Sequence, residues 1–224
     1  MAERAVMSDW LTWQIVDSAF PTGAFAHSNG LESAWQQGEI EDAEALQRFV
    51  RGSILQAGHA ALPLLNSAFL EPERLAALDE LCDLFLINTV ANRASRIQGR
   101  ALVATCARVW PTTAMLQLKT LAQAGCAHVA PLSGAAFRLL GVPLATAQRL
   151  VLFGAARAVL TAAVRLGIAG SFEAQRLQHD SAAWLEEVAQ RCAVLTADDL
   201  AQTEPLIDIL HAGHDRLYSR LFQS

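Results

Sequence analysis

The chain has 224 residues, of which 53% are apolar and only 17% charged, and its net charge at pH 7 is -5. That length allows one substantial core, in one large domain or two small ones. The acidic balance excludes a general nucleic-acid binder, which needs a basic field to hold phosphates, and leaves only local basic patches open.

Alanine and leucine outweigh β-branched and aromatic residues, which favours packed helices over strands. The opening "MAERAVMSDW" carries both charge signs and no long apolar run, so it does not read as a secretory signal. In "DSAFPTGAFAHSNGLESAW", Pro21 and Gly23 impose a turn and Phe20 and Phe25 are expected to anchor a loop. Asn29 is expected to cap the helix that follows, with Glu32 reaching back as in a capping box. The polar cluster His27, Ser28, Asn29 and Glu32 exceeds what a packed loop needs and reads as exposed polarity on a preorganised interaction surface.

Further along, Leu46, Phe49, Val50 and Ile54 keep helical spacing behind Asp42 as N-cap, and Leu78, Leu81, Cys82 and Phe85 repeat it in a helix that can begin at Pro72. Arg93, Arg96 and Arg100 in "NRASRIQGR" fall on one helical face. Such a face is solvated or salt-bridged, docks an acidic partner, or supplies an arginine in trans to a nucleotide hydrolase. The segment "TAQRLVLFGAARAVLTAAVRLG" is apolar nearly all round, as a central helix covered by others would be. Arg165 and Arg176 flank the connection after it and take the same readings as the arginine face. Leu177, Ser181, Trp184, Leu185 and Val188 line one face behind Ser171, and Thr196 with Asp199 resembles a capping box with Asp in place of Glu.

Breaks are expected at Gly38, Gly58, Pro111, Gly125, residues 141–143, residues 167–170 and Pro205. They leave roughly eight to ten helices of ordinary length, read as a single all-α, bundle-like domain over residues 1–224. The longest stretches without a charged residue, 52–70 and 120–137, each hold a histidine and a proline and do not read as membrane spans.

Chemistry is sparse. The four cysteines, Cys82, Cys106, Cys126 and Cys192, form no CxxC pair and read as reduced residues of a cytoplasmic protein. Among six histidines only His211 and His214 are close in sequence, with Asp215 beside them; as metal candidates they need a third ligand from elsewhere, and His214 falls beside the apolar stripe of Leu206, Leu210, Leu217 and Leu221. No G-x-S-x-G elbow or P-loop is present, and His27 and Ser28, being adjacent, point in different directions. A helical enzyme using His128 or His27 as a base lacks evident carboxylate neighbours in the sequence. No catalytic residue and no cofactor is expected. The end of the chain, "PLIDILHAGHDRLYSRLFQS", stays amphipathic to its last turn and offers Leu221 and Phe222 either to the core or to a partner.

Three segments carry a resemblance over essentially the whole chain. "FPTGAFAHSNGLESA", "ASRIQGRAL" and "LYSRLFQS" are similar to the N-terminal, central and C-terminal motifs of the urease accessory protein UreF family. "GCAHVAPLSGAAFRLLGVP" resembles a further segment, with Val129 or Ala130 where the family often has an aromatic, and Gln223 stands where Arg is frequent. The resemblance implies a non-catalytic, all-α homodimer acting in nickel insertion. It implies binding to the UreD-type scaffold (also called UreH), recruitment of the GTPase UreG and action of the assembly on apo-urease. Tyr218, Arg220, Leu221 and Phe222 are then expected to dock on the UreD-type partner as a segment that orders on binding. The loop from His27 to Glu32 and the face of Arg93, Arg96 and Arg100 become further partner surfaces. A rival reading under the same resemblance is a regulator that activates UreG through Arg93, Arg96, Arg100 or Arg165.

Overall fold

The computed structural model describes residues 2–224, and side chains from residue 9 onward. It is helical throughout, with no strand among the described residues. The helices are α1 (Ala2–Val16), α2 (Leu31–Gln36), α3 (Ala43–Gln56), α4 (Leu62–Leu70), α5 (Leu75–Phe85), α6 (Thr89–Val109), α7 (Thr113–Ala124), α8 (Val129–Leu139), α9 (Leu144–Arg165), α10 (Ser171–Asp180), α11 (Ala182–Cys192) and α12 (Pro205–Ala212).

Local chemistry sets most boundaries. Asp42 caps α3 by accepting from the Ala45 amide at 2.7 Å, as its position before the apolar stripe suggests. The Thr196–Asp199 capping box forms as expected, around a short 3₁₀ turn. Gly58 does not break the chain, because α3 runs into α4 through one π turn at Ala57–Ala61. Pro63 explains that turn: it has no N–H for the carbonyl four residues back, at His59, and its ring crowds it. The freed His59 carbonyl accepts instead from the Ala201 amide at 3.1 Å. The long face expected behind Ser171 is two helices, with Gly170 rather than Ser171 as the capping residue and a break at Ser181.

Two large apolar clusters make the core. One gathers Leu46, Phe49, Val50 and Ile54 of α3 with Leu152, Val159 and Leu160 of α9 and Val188 of α11. The other gathers Leu64, Leu78, Leu102, Val103, Met115 and Leu132 from α4 to α8. Close approach needs missing side chains: a Cβ on Gly134 of α8 would lie 2.3 Å from the Leu65 carbonyl of α4. Asn66 and Gln148, both buried, tie the turn after α11 to α4 and α9 through the Ala193 and Leu195 carbonyls. Among the described residues, α9 is the helix long and apolar enough to cross a membrane, and it is wrapped by α3, α10 and α11.

Candidate functional site

The polar loop before α2 meets the end of the chain. Phe20 is buried against Trp110, with ring centroids 5.8 Å apart, and the Thr105 hydroxyl donates to the Pro21 carbonyl at 2.8 Å, so the loop is fastened to α6. Phe25, expected to be a second anchor, is 70% exposed and lies under the Arg165 guanidinium at 5.6 Å. Gly30, at φ 87°, begins α2, and a Cβ there would also sit 3.0 Å from the His211 side chain of α12.

No capping box forms at this helix. Asn29 takes up a left-handed conformation at φ 51° and Gly30 is the N-cap, without a side-chain bond. Glu32, only 1% exposed, points the other way. Its carboxylate accepts from the Leu221 amide at 2.6 Å and the Phe222 amide at 3.1 Å, and lies 3.0 Å from His214 Nε2. The Gln223 amide donates to the Ala26 carbonyl at 2.8 Å, and the Ser28 amide and hydroxyl donate to the Ser224 backbone oxygen at 2.6 and 3.0 Å. His27 Nδ1 lies 2.5 Å from the Ser224 hydroxyl. The Arg165 guanidinium covers the buried Phe222 ring at 4.2 Å and donates to the Phe25 carbonyl. Loop and tail therefore form a clasp.

This corrects two expectations. His27, Ser28 and Glu32 are not exposed polarity; they are buried, and their hydrogen bonds run to Leu221, Phe222, Ser224 and His214. The tail does not wait for a partner to be ordered, since Glu32 holds its amides. Only part of the tail faces outward: Tyr218 is fully exposed, Leu221 is 53% exposed, and Arg220 reaches Asp215 at 3.4 Å.

Three histidines crowd beneath the clasp, and among the described residues His27 Nε2, His211 Nε2 and His214 Nδ1 are buried without a hydrogen-bond partner. Burial first, then the neighbouring His214, His27 and Arg93, pushes His211 down to about 4. Burial, then His214, lowers His27 as well. Among the described residues no third ligand joins His211 and His214 in a metal-binding group: Glu32 engages His214, while Arg93 takes Asp215 through two bonds of 2.8 and 3.1 Å. The cluster of three metal-ligating side chains among the described residues lies elsewhere, at Asp83, Cys126 and His128. His128 thus has the carboxylate neighbour that the sequence did not reveal, with Asp83 Oδ1 3.0 Å from its Nε2.

The arginine face is real but divided. Arg93, Arg96 and Arg100 line an open groove of about 560 Å³ with Asp83 and Ile87. Arg93 is bound to Asp215, and Arg96 donates to the Cys126 carbonyl at 3.0 Å. Arg100 alone of the three has no ion-pair partner among the described residues. Arg176 lies on α10 and is not among the residues that line the groove.

A family model for UreF matches residues 40–182, more than half of the chain. The chain belongs to the UreF family. It is 36% identical to urease accessory protein F of Arabidopsis thaliana, over all of this chain and 96% of that protein. It is also 36% identical to urease accessory protein F of Oryza sativa subsp. indica, over 95% of this chain and 84% of that one. Urease accessory protein UreF of Arthrobacter sp. is 31% identical, over 94% of this chain and 95% of its own length. The match to the Arabidopsis thaliana protein, which covers all of this chain, thus extends over the clasp, which lies outside the span of the family model.

Proposed function

We propose that this UreF-family chain is a urease accessory protein of the cytoplasm, a non-catalytic homodimeric adaptor that binds the UreD-type scaffold and recruits UreG to apo-urease, with nickel as the cargo of the assembly. The observation that carries the reading is the clasp. It commits a buried carboxylate, a histidine and the Ser28 hydroxyl to holding residues 221–224 while Tyr218 and Leu221 face solvent. A tail fixed in advance costs less ordering entropy when a partner docks on it. The apolar recess of about 440 Å³ bounded by Phe25, Val151, Phe153 and Ala158 supports a second copy as a further neighbour. Coexpression with a UreD-type partner tests the adaptor reading. The full chain is expected to form a complex that captures UreG, and the Tyr218→Ala/Leu221→Ala variant to fold but lose the complex. Failure of the full chain to bind either protein would end the reading.

The free guanidinium of Arg100 in the groove favours one elaboration, activation of UreG by an arginine supplied in trans. GTP turnover by UreG would then rise on adding this protein and would not rise with Arg100→Ala.

A further inference from the structure

Behind the arginine groove, the connection between α7 and α8 folds back onto α5 and α6. Asp79 of α5 accepts from the Ala127 and His128 amides at 2.8 and 2.7 Å, and Gly99 of α6 lets the same connection lie against the helix. A Cβ on Gly99 would lie 2.0 Å from the Ala127 carbonyl, and one on Gly125 would lie 2.8 Å from the Asp79 carboxylate. This close fit brings Asp83, Cys126 and His128 together, one ligand atom of each within 4.8 Å of the others. We infer that these three side chains form a binding site for one borderline divalent transition metal ion of the Zn²⁺, Co²⁺ or Ni²⁺ kind. The inference does not rest on the adaptor reading.

The donor set decides the class of ion. A carboxylate, an imidazole and a thiolate suit zinc and its neighbours, whereas magnesium and calcium prefer oxygen alone. Bonds of about 2.0–2.3 Å place tetrahedral ligand atoms about 3.3–3.8 Å apart, so Asp83 Oδ1 and His128 Nε2, now 3.0 Å apart, open slightly while the wider separations close by about 1 Å. The supporting contacts match those of metal sites. Ser95 Oγ lies 3.1 Å from His128 Nδ1, where it accepts the ring proton once Nε2 is given to the ion. Asn92 donates to Asp83 Oδ1 at 3.0 Å and so orients that carboxylate. A cysteine binds such an ion as its thiolate, so loading releases the Cys126 thiol proton, and giving Nε2 of His128 to the ion leaves that ring's proton on Nδ1. Asp83 and Arg96 also line the groove, so the fourth position opens to water there, as in sites that exchange their ion or a ligand.

The test is a titration of the metal-free full chain with Co²⁺, followed by its thiolate-to-cobalt absorption and by proton release. One equivalent per chain, a thiolate band that Zn²⁺ removes, and one proton released are expected. Cys126→Ser should abolish the band and weaken binding at least about 100-fold, with circular dichroism and thermal melting unchanged. Ser95→Ala keeps all three ligands and should weaken binding about 10- to 100-fold, the effect of losing an outer contact. Wild-type protein with no thiolate band at one equivalent, or a band that survives Cys126→Ser, would overturn the inference.

Discussion

Glu32 is the residue on which the clasp turns. A buried carboxylate that accepts two amides and contacts an imidazole leaves those groups unpaired when it is removed. Glu32→Ala is expected to lower the free energy of unfolding by about 3 kcal/mol, read as a lower urea midpoint, since each buried group left without its charged partner costs about 1–3 kcal/mol. An unchanged midpoint would mean that the tail contributes nothing to the fold. The histidines add a pH dependence. His211 and His27 titrate lower in the folded chain than unfolded, so the unfolded state binds more protons as the pH falls. Their neutral forms are accommodated in full above an unfolded value near 6.5, and stability is lost as pH drops toward the folded value of about 4 for His211. Lowering pH from 7 to 5 is expected to cost roughly 2 kcal/mol through His211 alone, a loss that a neutral replacement, His211→Gln, would remove from the pH profile of unfolding.

At the scale of elements, glycines rather than large side chains decide where helices meet. Gly99→Ala drives a Cβ into the Ala127 carbonyl, and Gly134→Ala drives one into the Leu65 carbonyl. Backbone cannot move aside as a side chain can, so each variant is expected to lose about 2–3 kcal/mol in thermal or urea unfolding. The helices themselves were legible because apolar spacing and caps such as Asp42 act locally. What defeated sequence reasoning was action at a distance. Glu32 has the spacing of a capping box, yet three acceptor contacts to residues 214–222 outweigh one local bond. Asp83 and His128 are 45 positions apart, so no local pattern announces their bond. The break at Ser181 had no glycine or proline to mark it; the Ser181 hydroxyl bonds back to the Leu177 carbonyl at 2.7 Å instead.

For the whole molecule, the clasp joins the loop at residues 26–32 to the tail and leaves the Tyr218–Leu221 edge and the Arg100 groove facing outward. The Tyr218→Ala/Leu221→Ala variant is expected to melt as wild type does while its affinity for a UreD-type partner falls at least about 10-fold, because exposed anchors contribute to binding rather than to folding. The most direct test of the account is amide hydrogen exchange of residues 221–223 in the isolated protein. Glu32 and the Ala26 carbonyl accept from these amides, so they are predicted to exchange far more slowly than in an unstructured peptide, and to lose that protection in Glu32→Ala. Exchange at the unstructured rate in the wild-type chain would contradict the clasp and return the tail to a segment that orders only when a partner binds.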